Sequence, residues 1–267
     1  MPPDLTVEQA IANLQQRDDL SLRYYAAWWL GKFRVTDPVA IDALIEALSD
    51  DQDRAPDGGF PLRRNAARAL GKLGDRRAVS PLIDCLSCPD YYVREAAAQA
   101  LEELGDPTCI PHLVDLLKRE EVNSPPVAGK ATMTQPYDSI LEALGTLGAI
   151  AERETIQAFL EHSVPRVQYA AARALYQLTQ DSIYGERLVA ALQGKDLQLR
   201  RAALMDLGAS GYVAAAPAIA NALAENSLKL IALKGLLEHQ LQQDSMSDRP
   251  RVSGEAIAVM EWMDTLL

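Results

Sequence analysis

The stretch "VREAAAQALEELGDPTCIPHLVDLL", residues 93–117, holds two apolar patterns of helical period joined by a Gly-Asp-Pro turn. At about 100° per residue, Ala97, Ala98 and Leu101 share one side of a first helix, and Leu113, Leu116 and Leu117 mark a second amphipathic one. Gly105 suits the left-handed position just past a helix end, and Pro107 suits a helix start.

The same unit recurs along the chain. "LRYYAAWWLGKF" (22–33), "LRRNAARALGKLG" (62–74), "YDSILEALGTLG" (137–148), "VQYAAARALYQL" (167–178) and "LRRAALMDLGASG" (199–211) fall in phase with it. Their equivalent leucines are Leu30, Leu70, Leu101, Leu144, Leu175 and Leu207, spaced 40, 31, 43, 31 and 32 residues apart. A period near 31 with two insertions marks helical repeats, which stack into an α-solenoid with a continuous core. Each unit has a further amphipathic segment, as in "AIDALIEALSD" (40–50) and "AVSPLIDCLSC" (78–88). The insertions are "SDDQDRAPDGGFP" (49–61) and "KREEVNSPPVAGKATMTQP" (118–136), whose Gly and Pro content predicts loops that act as lids or partner contacts, or simply as surface connections.

Composition narrows the function. A net charge of −11 argues against a protein devoted to phosphate backbones, so nucleic acid is not an expected partner. No apolar run has the length of a membrane span, and "MPPDLTVEQA" lacks the basic and apolar regions of a signal peptide. Three cysteines make no disulfide framework, so a reducing cytoplasm is the expected location, without membrane insertion. Cys85-x-x-Cys88 and Cys109-x-x-His112 mimic a zinc spacing. However, Cys85 occupies the repeat position of Ala47 and Leu116, and Cys109 that of Ala78, so both are expected in the core and no metal is predicted. Cys88 replaces Asp50 and Arg119 near a helix end, a position compatible with either burial or exposure. HExxH, GxSxG, Walker A and GxGxxG patterns are absent, and no catalytic residue is assigned.

The repeat also divides the aromatic segment of the first unit. Ala26, Ala27 and Leu30 match the core positions Ala66, Ala67 and Leu70. Tyr24 and Trp28 align with Arg64/Arg68, Glu95/Gln99, Asp138/Glu142, Tyr169/Arg173 and Arg201/Met205, a mostly charged column that belongs at the surface. Tyr25 and Trp29 align with Asn65/Ala69 and Ala96/Ala100, small residues suited to packing between units. That pair is expected to seal the first repeat beneath a short helix started by a Thr6/Gln9 capping box, or to face a partner. In "SGEAIAVMEWMDTLL" (253–267), Ser253 is the predicted N-cap, and Ile257, Met260, Met263 and Leu267 form an apolar stripe. With Trp262, this helix caps the last repeat or docks into a second subunit.

The phrases "LRYYAAWWLGKF", "LRRNAARALGKLGD", "CPDYYVREAAAQALEELGD" and "NSLKLIALKGLLE", in this order between Leu5 and His239, resemble the E-type subunits of heterodimeric phycocyanobilin lyases. The repeat itself is similar to the HEAT-like repeat named after phycobilisome lyases. The resemblance implies an all-α, right-handed α-solenoid of about six HEAT-like helix pairs in one domain, 1–267. Residues 1–19 would be an N-terminal cap, 20–240 the repeats, and 241–267 a linker and C-terminal helix. It further implies an F-type partner subunit and attachment of phycocyanobilin, through a thioether, to a cysteine of the phycocyanin α-subunit. Phycocyanobilin is then a bound substrate, not a permanent cofactor. Two alternatives stay open: a non-catalytic adaptor in phycobilisome assembly or turnover, and the related lyase that isomerises its bilin for phycoerythrocyanin.

By the same resemblance the charged column faces the groove of the solenoid. A linear tetrapyrrole offers a long π-system, two propionates and several ring N–H groups. Tyr24 and Trp28 are the expected stacking residues, and Arg64 and Arg68 the expected propionate partners. Glu95, together with Asp53 from the first insertion, is the expected acceptor for ring N–H groups. The recurring pairs Asp19/Arg23, Asp90/Arg94 and Asp196/Arg200 are expected to be structural.

Overall fold

The computed structural model describes residues 5–119, 134–245 and 252–267, and the regular structure among them is helical throughout. The helices fall into two compact units, residues 1–147 and 148–267. The first unit contains α1 (Val7–Gln15), α2 (Leu20–Lys32), α3 (Pro38–Ala47), α4 (Pro61–Leu73), α5 (Val79–Cys85), α6 (Tyr91–Leu104), α7 (Ile110–Lys118) and α8 (Tyr137–Thr146). The second contains α9 (Arg153–Gln157), α10 (Pro165–Thr179), α11 (Ser182–Ala191), α12 (Leu197–Ser210), α13 (Ala216–Ala220), α14 (Asn226–Ser245) and α15 (Gly254–Asp264). After α1, the pairs α2/α3, α4/α5 and α6/α7 repeat one plan; α10/α11 and α12/α13 repeat it in the second unit. This is the expected α-solenoid repeat.

Local chemistry sets the helix ends. The Thr6/Gln9 capping box starts α1, and the carboxylates of Asp19, Asp90 and Asp196 accept backbone N–H bonds at the starts of α2, α6 and α12. Gly74 and Gly105 end α4 and α6 with φ of 74° and 67°, a conformation that costs a residue with a Cβ. The predicted core positions Ala26, Ala27, Leu30, Ala66, Ala67, Leu70, Ala97, Ala98 and Leu101 are fully buried.

Packing then brings α2, α4 and α6 side by side. A Cβ on Gly31 would lie 2.7 Å from the Ala69 Cα, and one on Gly71 would lie 2.8 Å from the Ala100 Cα. Such close approach lets the side chains one face over form adjacent rows. Within each unit the recurring arginines tie their own helix to nearby backbone carbonyls. Arg94 donates to the carbonyls of Cys88 (2.7 Å) and Thr134 (2.8 Å), and Arg200 to those of Gly194 (2.7 Å) and Leu223 (3.2 Å). Arg23 donates to Leu14 O (3.1 Å) and pairs with Asp50 at 2.7 Å. These arginines are structural, as their recurrence implied.

Two features of the C-terminal region differ from the sequence reading. The expected linker after residue 240 begins as helix, because α14 runs on to Ser245. In α15, capped by Ser253 as expected, the buried residues are Ala256 and Val259. Ile257 and Leu267 are exposed, so the packing face is set by small residues that fit close to α14 and not by the predicted stripe. Among the described residues, no helix is long and apolar enough to cross a membrane.

Candidate functional site

Tyr24 and Trp28 lie one turn apart on α2 and are 38% and 40% exposed, although each is large and apolar enough to favour burial. Beside them on α4, Arg64 is half-buried and Arg68 exposed; on α6, Glu95 and Gln99 are half-buried. The predicted column is therefore a real face of the first unit. Neither Arg64 nor Arg68 is ion-paired among the described residues, and the Arg64 Nε is buried without a hydrogen-bond partner.

A pocket of about 320 Å³ opens on this face. Leu20, Ser21, Tyr24, Asp53, Pro61 and Arg64 line it, so three predicted residues from three separate segments meet there. Trp28 and Arg68 continue the face one turn further along α2 and α4, outside the pocket. Glu95 is not part of the pocket either. The sequence reading missed Leu20 and Pro61 as walls. Leu20 stands one turn before Tyr24, and Pro61 three residues before Arg64, so helical spacing was the available signal. It also missed Tyr92, whose ring lies 5.8 Å from the Arg64 guanidinium carbon, and Lys32, whose Nζ sits 4.6 Å from the Trp28 ring centre.

The aromatic residues are less separable than their columns implied. Tyr25 packs its ring 5.4 Å from that of Trp28, bridging the two columns, and Trp29 packs against Phe33 at 4.8 Å. Tyr25, Trp29 and Trp262 are all half-buried.

Asp53 reaches the pocket because its loop is held by three helices. Asp50 accepts N–H bonds from Gln52 (3.1 Å) and Asp53 (2.9 Å), and its carboxylate pairs with the buried Arg23 guanidinium of α2. From α4, Arg63 donates to Asp50 O (2.5 Å) and Ser49 O (3.2 Å). From the start of α6, Asp90 accepts the Phe60 N–H at 2.7 Å. The Phe60 ring lies between the Arg54 and Arg63 guanidinium groups, 3.9 and 4.1 Å away. The residues 49–61 form a built loop. The second insertion lies mostly outside the described residues, at 120–133.

These contacts fix the local electrostatics. Burial alone would raise the Asp50 carboxyl, but hydrogen bonds from Asp53 N–H, Arg23 and Gln52 N–H hold it below its ordinary range. Asp53 is 7% exposed and its Oδ2 has no hydrogen-bond partner. Burial, followed by repulsion from Asp50, raises its carboxyl above the ordinary value.

All three cysteines are buried free thiols, Cys88 included. At Cys88, where the sequence left exposure open, Arg63 lies 4.0 Å from the Sγ and reaches over that helix end to the loop. Burial pushes the Cys85 and Cys109 thiols up to about 12 and about 11, which leaves them poor nucleophiles.

The fold and this face define a HEAT-like repeat protein. A family model for HEAT repeats matches residues 57–125, and one for the PBS lyase HEAT-like repeat matches 22–50, 167–194 and 199–225. Over 99% of its length the chain is 62% identical to a phycocyanobilin lyase subunit alpha from Nostoc sp. strain PCC 7120, of which it covers 95%. It is 64% identical to the protein of that name from Microchaete diplosiphon, with 98% of this chain and 90% of that one aligned. The bilin biosynthesis protein PecE of the same Nostoc strain is 44% identical, over 92% of this chain and 91% of PecE. Among solved structures, a chain of the CpcE–CpcF complex of phycocyanin lyase from Nostoc sp. PCC7120 matches with a TM-score of 0.89. The identity there is 62%, covering 99% of this chain and 96% of that one. The chain belongs to the phycocyanobilin lyase subunit alpha family.

Proposed function

We propose that this chain, with an F-type partner subunit, attaches phycocyanobilin to a cysteine of the phycocyanin α-subunit in the cytoplasm. The carrying observation is the meeting of Tyr24, Arg64 and buried Asp53 in one pocket, beside exposed Trp28 and Arg68, in a member of this family. Tyr24 and Trp28 give π-surfaces to stack on the tetrapyrrole. Arg64 and Arg68, with unspent donors, pair with its propionates. Glu95 and Asp53 accept hydrogen bonds from ring N–H groups. Tyr25, Trp29 and Trp262 cap the repeats or meet the partner.

Catalysis on this reading is positioning. The acceptor supplies the thiol, since the chain's own thiols are buried and two of them are held protonated. Holding the ring-A ethylidene against the acceptor sulfur in a fixed geometry accelerates a bimolecular addition and selects one face of the double bond. Phycocyanobilin is a substrate throughout. Attachment without isomerisation is favoured because identity to the lyase alpha subunits (62%) exceeds that to PecE (44%).

The test mixes this chain, its F-type partner, phycocyanobilin and the apo-phycocyanin α-subunit. A covalently coloured α-subunit with an unshortened conjugated system supports the proposal. A tight protein complex that neither binds bilin nor colours the acceptor identifies an adaptor instead.

A further inference from the structure

We propose that Asp53 is a catalytic residue of this reaction, the group that shares a proton with the conjugated nitrogens of the bound bilin; this rests on the lyase reading above. Asp53 lines the pocket beside Tyr24 and Arg64, yet one carboxylate oxygen has no hydrogen-bond partner. A buried carboxylate oxygen left without a partner is costly, and one on a residue that lines a pocket is placed for a ligand's donor to complete it. The loop that carries it breaks the repeat period and is anchored to α2, α4 and α6, as the contacts of Arg23, Arg63 and Asp90 show. That anchoring holds the carboxyl at the edge of the exposed aromatic face.

The groups facing Asp53 are Asp50 on its own loop, Arg23 and Tyr24 on α2, and Arg64 on α4. Burial and the Asp50 charge favour the protonated carboxyl, while Arg23 and a hydrogen bond from Leu62 N–H oppose that. A carboxyl balanced in this way is suited to hold one proton jointly with a weakly basic ring nitrogen.

Thioether formation calls for such a group. The S–H bond of the acceptor and one C=C bond of the ethylidene break; a C–S bond and a C–H bond form, with no net oxidation or reduction. Attack by sulfur drives electrons into the tetrapyrrole. A proton shared from Asp53 receives that charge on nitrogen and then moves to the ring-A carbon. The proton released by the thiol restores Asp53. No oxidant or further reactant enters.

The experiment is a pH titration of the absorption spectrum of phycocyanobilin bound to the two-subunit complex, for wild type, Asp53→Asn and Asp53→Glu. Transfer to the acceptor is measured on the same samples. The protonated, long-wavelength form is expected to persist about 1–3 pH units higher in wild type than in Asp53→Asn. Transfer by Asp53→Asn should be slowed by about tenfold or more, in the range of general acid–base effects. Asp53→Glu should recover part of both signals, which a purely structural loop contact would not do. Titration curves and transfer rates that coincide for wild type and Asp53→Asn overturn the proposal and leave the lyase reading standing. If the wild-type complex binds no bilin, the lyase reading itself fails and the proposal with it. Should Asp53→Asn not fold, Asp53→Leu takes its place: a titration midpoint and transfer rate equal to wild type count against the proposal.

Discussion

The same repeat column carries opposite chemistry in the two units. In the first, Tyr24 and Trp28 are exposed, and Arg64 and Arg68 have no ion-pair partner among the described residues. In the second, Arg201 is spent on Glu225, with Nε–Oε2 at 3.2 Å and a second contact from Nη2 to Oε1. Arg173, at the Arg68 position, is buried. Arg166 nearby pairs with the buried Asp206. A charged position thus says little by itself in a solenoid. What separates the two faces is whether an accessible arginine of the column already holds a carboxylate, as Arg201 does and Arg68 does not among the described residues.

The largest effect is expected where the first unit holds its loop. Asp50→Ala leaves the buried Arg23 guanidinium unpaired, and should cost about 3 kcal/mol of stability in urea or thermal unfolding. It should also release residues 49–61 and so abolish bilin binding. Acid should weaken the same contact. Because the folded Asp50 carboxyl is held low, its contribution is present above the unfolded carboxyl range and disappears as pH falls through the folded value. A variant as stable as wild type at neutral pH would mean the loop is not held by this pair.

Much of this was legible in the sequence. The helices, their caps and the buried Ala/Leu positions follow from helical periodicity and from Asp, Gly and Pro at fixed offsets. The charged column is legible because equivalent residues report on one another. The burial of Asp53 and Cys88 is not, since both depend on Arg63 or Arg23 reaching across from other helices to a loop outside the repeat. Nor does periodicity pair Tyr25 with Trp28, because adjacent columns touch only through the rotamers their rings adopt.

A sharper form of the comparison exchanges arginines. Arg64→Gln with Arg68→Gln should weaken phycocyanobilin binding by at least about tenfold, since charge-assisted hydrogen bonds are worth about 1.5–3 kcal/mol each. Arg201→Gln, in the matching position of the second unit, should leave the dissociation constant unchanged. Equal losses from both units would show that the whole column binds the pigment.

Smaller still is the stability change at Asp53. Its carboxyl is raised in the folded protein, so the ionised form opposes folding once pH exceeds the unfolded value. Asp53→Asn should therefore unfold at or slightly above the wild-type temperature at neutral pH, with the difference closing as pH falls below the carboxylate range. A clear loss of stability at neutral pH would instead mark Asp53 as a cap for α4. The smallest effect belongs to Glu225→Gln, an exposed pair whose loss should leave the melting curve unchanged within error.

The most direct test of the binding face is Tyr24→Ala with Trp28→Ala, assayed in complex with the F-type partner. The double variant should fold as wild type does, since both side chains are already exposed. It should lose the absorption shift of bound phycocyanobilin and transfer it to the acceptor at least about tenfold more slowly, the loss of two stacking contacts. An unchanged spectrum and transfer rate would place the pigment elsewhere and contradict the assignment of this face.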